Sequence, residues 1–206
     1  AQMIQGRVDD LVLNRRIERI GQAADRSAKI VKTFLAMARQ RPTRLMACSL
    51  NDTIESAFDL AGYGLRSAGA EIIWALDADL PIVSADSDQI VQVFTNLIVN
   101  AEHALAEKGD QASVQFRTWY DTATNDVVAE VRDNGAGVPK EFQSRIFEPF
   151  FTTKDIDHGT GVGLAFSHRV VDGHGGQLIV QSIPGQGACF SVRLPAVEFV
   201  SGEDQG

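Results

Sequence analysis

Residues 126–133, DVVAEVRD, read as a β-strand, and the chain then passes without a spacer into NGAGVPKEF. A strand that ends in an acid, crosses Gly135 and Gly137 and meets a proline-started helix has few ways to fold. Glycine tolerates positive φ and lets backbone or ligand come close, and proline suits the first turn of a helix. One outcome is a tight turn. The other is a turn on which a planar ligand lies, read by Asp133, because an ionised carboxylate only accepts hydrogen bonds and could take the proton of an exocyclic amine. The motif alone serves either reading.

Its neighbours make this an α+β domain. ASVQFRTWYD alternates as an antiparallel partner of DVVAEVRD, GQLIVQSI and GACFSVRLP form a second hairpin through PGQG, and AEIIWAL is a further strand. Ser49 with Asp52 starts a helix over LNDTIESAFDLAGYGLRSAG, and Asp86 with Gln89 starts a long one reaching about residue 107. The 206 residues, 44% apolar, suit one long domain or a compact domain with an accessory element. A net charge of −8 argues against a nucleic-acid partner. No apolar run reaches membrane-spanning length and no signal peptide is visible. Cys48 and Cys189 lack metal-ligand spacing, so a reducing, cytoplasmic compartment is expected.

The first forty residues follow another rule. Leu13, Ile17, Ile20, Ala24, Ser27, Val31, Phe34 and Ala38 alternate steps of four and three, the seam of a bundle or coiled coil. Ile4, Val8 and Leu11 keep the spacing out of phase, which predicts a break near 12–16, as in a hairpin. An amphipathic hairpin cannot bury its stripe alone, so a dimer forming a four-helix bundle is expected; the alternative is packing on the chain's own downstream domain. RQRPTR, broken by Pro42, reads as a linker. The expected organisation is a helical hairpin over 1–41, a linker over 42–46, the α+β domain over 47–196 and a tail over 197–206.

On the long helix, Ile90, Phe94, Leu97, Ala101 and Leu105 form the apolar stripe. Asn96, Asn100 and His103, at i, i+4 and i+7, share another face. Asparagine lowers helix propensity, so this row is either a solvated face or a pocket wall. Carboxamide oxygens suit a hydrated magnesium ion without repelling phosphates. GTGVGLAFSHRVV is a second glycine cluster running into a helix, whose start would offer amides to an anion. It is neither a Walker loop nor GxGxxG, lacking the lysine and the spacing. Between the clusters, RIFEPFFTTKDIDHGT is aromatic and then polar, an apolar hinge followed by a mobile cover, with Lys154 the cation for a terminal phosphate.

In this order, NxxxNA, DxGxG, FEPFF and GTGxGL resemble the Bergerat ATP-binding fold, and specifically the catalytic domain of sensor histidine kinases; the resemblance covers about residues 45–195. It implies a two-layer α/β sandwich with a mixed sheet, with ATP and Mg2+ as cofactors. NLIVNAEHA matches the N box, implying that Asn100 binds magnesium, that Asn96 and His103 lie near the phosphates, and that Ala104 lines the pocket. DNGAG matches the first glycine box, implying that Asp133 contacts the adenine amino group, with Gly135, Gly137 and Val138 beside it. IFEPFFTTK matches the F box and the start of a lid, bringing Phe147, Thr152, Thr153 and Lys154. GTGVGLA matches the second glycine box, bringing Thr160, Gly161, Val162, Gly163 and Leu164. Asn96, Asn100 and Lys154 take the catalytic roles, and the short lid is similar to that of nitrogen-regulation-type kinases. Cys189 departs from the pattern, standing where a threonine often lies beside the adenine.

The hairpin then resembles the dimerisation and phosphotransfer domain, and the implied reaction is ATP-dependent phosphorylation of a histidine followed by transfer to a response-regulator aspartate. The family's acceptor histidine precedes an acid on the first hairpin helix. Here His103, His158, His168 and His174 all lie outside the hairpin, so the acceptor is expected upstream of Ala1 and the 206-residue chain is expected to bind ATP without phosphorylating itself. His158, His168 and His174 are expected to be structural or solvated. The gyrase, chaperone and mismatch-repair ATPases carry a general-base Glu where this chain has Asn96. A non-catalytic nucleotide-binding regulatory module and an anti-sigma-factor serine kinase are the other readings.

Overall fold

A computed structural model describes residues 13, 14, 16–21, 24, 44–152 and 161–197. The chain divides into two compact units, 1–41 with 146–166, and 42–145 with 167–206, and each is treated by itself.

The larger unit holds a five-stranded sheet in the order β2-β4-β5-β7-β6, formed by β2 (Glu71–Ala75), β4 (Ser113–Asp121), β5 (Asp126–Asp133), β6 (Gln177–Ser182) and β7 (Ala188–Pro195). Only β2 and β4 run parallel; the remaining pairs are antiparallel. This is the mixed sheet expected, and both expected hairpins are in register. α1 (Leu50–Ala61) and α3 (Ser87–Leu105) pack together on the sheet. Ile90, Phe94, Leu97, Ala101 and Leu105, the apolar stripe, are all buried with Val93 and Ile98 as α3 packs on β5, where the buried Val131 is the register partner of Phe116 on β4. Phe58 of α1 meets Trp74 and Phe116 edge-on, at centroid distances of 5.1 and 5.5 Å. α1 is capped by Ser49, whose side chain accepts from the Asp52 N–H.

Three elements differ from expectation. The first helix does not run on to residue 69: it stops at Ala61, and α2 (Tyr63–Ser67) follows. At the break Gly62 presses on the Phe58 ring, where a Cβ would fall 2.6–2.7 Å from the Phe58 carbonyl oxygen and ring carbons. β1 (Met46–Cys48) and β3 (Val83–Ala85) form a separate two-stranded antiparallel sheet. Both are too short to show a period of two. Finally, the helix after Pro139, α4 (Lys140–Gln143), is a single turn.

A buried hydroxyl ties α1 to the sheet. Thr118 donates to Asn51 Oδ1 at 2.9 Å and accepts the Asp77 N–H at 2.9 Å, while Asn51 Nδ2 donates to the Asp77 carbonyl. Thr118→Val keeps the shape and strands two half-buried partners. The expected cost is about 1–3 kcal/mol, read as a lower urea midpoint at unchanged slope; an unchanged midpoint would show that the network contributes nothing.

In the smaller unit Leu13, Asn14 and residues 16–21 are helical, and no break over 12–16 is present among the described residues; 12 and 15 lie outside them. Of the seam, Ile17 is buried, whereas Leu13 and Ile20 are 42% and 63% exposed and Ala24 is exposed. Ser27, Val31, Phe34 and Ala38 lie outside the described residues, as does the linker up to residue 43. The helix α5 (Gly163–Gly173) starts in this unit and ends in the larger one.

Candidate nucleotide site

Alternation puts Val127, Ala129, Val131 and Asp133 on the helix-facing side of β5, because their register partners include Val114 and Phe116. The strand therefore ends with a carboxylate where its period calls for an apolar residue, and Asp133 is only 5% exposed. Its Oδ1 accepts two backbone N–H groups, from Gly135 at 2.8 Å and from Ala188 at 3.3 Å. Burial pushes the Asp133 carboxyl above its usual range, and these amide hydrogen bonds offset only part of that.

The glycines are required by what lies against them. A Cβ on Gly135 would lie 2.5 Å from the Ala104 carbonyl oxygen, so the turn rests directly on the last turns of α3. Gly137 has φ +72°, and a Cβ there would meet the Ile183 carbonyl at 2.5 Å. The Val138 N–H donates to Ser182 Oγ at 2.7 Å, which itself donates to the Gly187 carbonyl. Asn134 closes the third side: its Oδ1 accepts the Ser113 N–H at 3.0 Å and its Nδ2 donates to the Gln111 carbonyl at 2.7 Å. The turn is thus held between the end of α3, the start of β4 and the β6–β7 loop.

α3 carries Asn96, Asn100 and His103 along one half-buried face toward Ala104. The Asn96 amide is oriented: Nδ2 donates to Ser167 Oγ at 3.2 Å and Oδ1 accepts Gln92 Nε2 at 3.3 Å. Ser167, fully buried on α5, had no signal in the motif pattern.

In the smaller unit the F-box segment and the second glycine cluster close on each other. The Phe150 N–H donates to the Gly161 carbonyl at 2.7 Å. Phe150 adopts φ +69°, and a Cβ on Gly161 would fall 2.5 Å from the Phe150 carbonyl carbon. Val162 is buried, and its carbonyl accepts the Phe166 N–H as α5 begins. Phe147, Thr152, Gly163 and Leu164 belong to these same two segments. Thr153, Lys154, His158 and Thr160 lie outside the described residues.

One predicted residue is not with the others. β7 pairs Cys189 with Arg132, and Ser191 with Glu130, so Cys189 points to the sheet face opposite Asp133. There it is buried, and desolvation with the nearby Glu130 charge pushes its thiol up to about 11. The residue facing Asp133 is Ala188. Two further residues escaped the sequence reading: Gly187, with φ +93°, whose Cβ would run into the Asp133 carbonyl oxygen, and Ala188 itself. The cross-strand row Ile73, Gln115, Arg132, Cys189 and Gln181 lines a depression of about 350 Å3 that Asp133, Asn134, Gly187 and Ala188 of the turn also line.

Residues 85–198 match the family model described as histidine kinase-, DNA gyrase B-, and HSP90-like ATPase. The chain belongs to this family of ATPase domains. Among its relatives is the signal transduction histidine-protein kinase AtoS of Escherichia coli K12, 31% identical over 194 residues, which covers 94% of this chain and 31% of that protein. The chain therefore spans about a third of the length of that relative. Among solved structures, the catalytic domain of histidine kinase ThkA superposes with a TM-score of 0.64 at 28% identity, over 75% of this chain and 99% of that one. Histidine kinase ThkA in complex with the response regulator TrrA gives 0.73 at 26%, over 95% and 55%. The fold is that of a histidine kinase catalytic domain. Among the described residues no helix is long and apolar enough to cross a membrane.

Proposed function

We propose that the chain is the catalytic region of a sensor histidine kinase, which binds magnesium-ATP and passes the γ-phosphate to a histidine and then to a response-regulator aspartate. The observation that carries this reading is Asp133: a buried carboxylate with one oxygen committed to two amides, on a glycine turn pressed against the asparagine helix. Oδ2, which takes no part in either bond, is the acceptor for the adenine amino group. Gly135, Gly137 and Val138 shape the adenine side, Ala188 replaces Cys189 there, and Ala104 forms the adjoining wall.

Asn96 and His103 face the phosphates. Asn100 offers its carboxamide oxygen to magnesium. A single neutral oxygen fits an ion that keeps water and phosphate oxygens as its other ligands, and no three His, Cys, Asp or Glu side chains form a cage among the described residues. When bound, the ion neutralises charge that builds on the transferring phosphoryl group. The motif match assigns roles to Phe147, Thr152, Thr153 and Lys154, with Lys154 the cation for the terminal phosphate, and to Thr160, Gly161, Val162, Gly163 and Leu164 as amide donors. Transfer then rests on positioning of an in-line nucleophile rather than on a protein base. This suits an asparagine at 96, its amide held by Ser167 and Gln92, and disfavours an ATPase that activates water.

The exposed seam residues Leu13 and Ile20 support a homodimer through the N-terminal helices. The response-regulator partner is supported by the ThkA–TrrA complex.

Asn100→Ala is expected to remove the magnesium-dependent gain in ATP affinity and to leave the fold intact, since alanine is the better helix former. Calorimetric titration with and without magnesium measures this. An equal gain in both proteins would remove Asn100 as a ligand.

A further inference from the structure

α3 begins at a junction that its own sequence does not complete. Asp86 is the N-cap: Oδ1 accepts the Gln89 N–H at 3.3 Å, and Oδ2 accepts Gln89 Nε2 at 2.9 Å and the Arg44 N–H at 3.3 Å. Burial acts to raise the Asp86 carboxyl, but the hydrogen bonds from Gln89 and from the Arg44 N–H act against it, and the group lies below its usual range. In a capping box the residue three positions on returns its side chain to the N-cap N–H. Here Gln89 spends its side chain on the Asp86 carboxylate, and that N–H is left for another partner.

The partner is His174, just beyond the end of α5. The Asp86 N–H donates to His174 Nε2 at 3.0 Å, and His174 Nδ1 lies 2.7 Å from the Val170 carbonyl oxygen. A backbone N–H can only donate and a carbonyl can only accept. Nε2 must therefore be bare and Nδ1 must carry the proton. An Nε2–H tautomer or an imidazolium would set donor against donor at Asp86.

We propose that His174, held as the neutral Nδ1–H tautomer, is a positioning residue that fixes the start of α3 and, through that rigid helix, the row Asn96–Asn100. The proposal rests on the nucleotide-site reading given above. α5 then holds α3 at two places, His174 at the cap and Ser167 at Asn96. The first of these is also where the chain emerging from the linker, at Arg44, is tied down. His174 is thus more than a solvated histidine at a helix end.

Two near-isosteres separate the ring's two jobs. His174→Gln places an acceptor oxygen near the position of Nε2 and gives up the bond to Val170. His174→Asn keeps a donor near Nδ1 and gives up the acceptor for Asp86. Amide hydrogen exchange at Asp86 is expected to match the unsubstituted protein in the Gln variant and to run about tenfold faster in the Asn variant, the size of one lost hydrogen bond. Magnesium-ATP affinity is expected to fall about threefold in the Asn variant alone, part of the same loss being carried down the helix. Equal exchange in the two variants overturns the proposal, and so does faster exchange with unchanged ATP affinity, which would leave a cap and no positioning role. Nitrogen-15 correlation spectra of the unsubstituted protein supply a check free of any folding defect: a neutral Nδ1–H ring is expected, and an Nε2–H or doubly protonated ring overturns it. If the unsubstituted chain binds no ATP, the functional reading falls, while the exchange comparison and the tautomer still decide whether His174 caps α3.

Discussion

Gly187→Ala is expected to be among the most damaging single substitutions in the domain. Gly187 sits at φ +93°, and its missing side chain leaves room for the Asp133 carbonyl oxygen and the Asn134 Cα, which lies 2.8 Å from where a Cβ would be. Alanine meets two costs together: about 1–3 kcal/mol for holding an L-residue in that backbone region and about 1–3 kcal/mol for forcing atoms into a filled space. Against a typical domain stability of about 5–15 kcal/mol the sum is large. Gly185, two residues earlier on the same loop, is the control. Its φ is +81°, yet nothing lies within 4 Å of a Cβ there, so Gly185→Ala should show the conformational cost alone. Urea unfolding is expected to rank Gly187→Ala well below Gly185→Ala, and ATP affinity should fall only in the former, because the displaced backbone is that of Asp133. Equal losses of stability would mean that the close approach of the β6–β7 loop to Asp133 contributes nothing.

The contrast between Gly187 and Gly135 shows what a sequence can carry. Gly135 and Gly137 were legible because a strand runs into them and an acid stands beside them, so local order already implies a turn with a role. Gly187 belongs to PGQG, which reads as an ordinary hairpin turn; its contact is with residues more than fifty positions earlier, and nothing local encodes it. The same distinction holds for α3. Its apolar stripe and Asn96, Asn100 and His103 follow from one helical period, whereas Ser167 and His174 matter only because α5 is brought to α3 in space. Cys189 is a different case, for the signal was present: Phe190, Val192 and Leu194 alternate as the inward set of β7, which places Ala188 with them and Cys189 opposite. A strand's period of two assigns faces strictly, so counting that period along β7 gives Ala188, and not Cys189, the face that Asp133 shares. α1 stops at Ala61, although the helical spacing of apolar residues continues beyond Gly62.

Asp133→Asn is expected to abolish adenine discrimination while leaving the fold as stable or more so. The Gly135 and Ala188 N–H groups both demand an acceptor at Oδ1, so the asparagine must place its carbonyl there and its Nδ2 where Oδ2 was. That turns a donor toward the adenine amino group, itself a donor. Losing a buried hydrogen bond to a charged acceptor costs about 1.5–3 kcal/mol, roughly ten- to a hundredfold in affinity. The expected pH behaviour separates the two proteins further. Because burial raises the Asp133 carboxyl, the ligand-free fold gains from this group below the unfolded carboxylate pKa and loses that gain as the pH rises through the folded value. Nucleotide binding runs the opposite way: the ionised carboxylate is the acceptor, so affinity is full above the raised pKa and falls as the pH drops through it, starting above the ordinary carboxylate range. The variant has no proton to gain there and should lack that limb. Titrations with ADP and GDP across this range provide the measurement. A variant that binds ADP as the unsubstituted protein does, or an unsubstituted protein that holds both nucleotides equally, would remove Asp133 from adenine recognition. The charge that the free domain keeps at a cost to its own stability would then have no ligand to explain it.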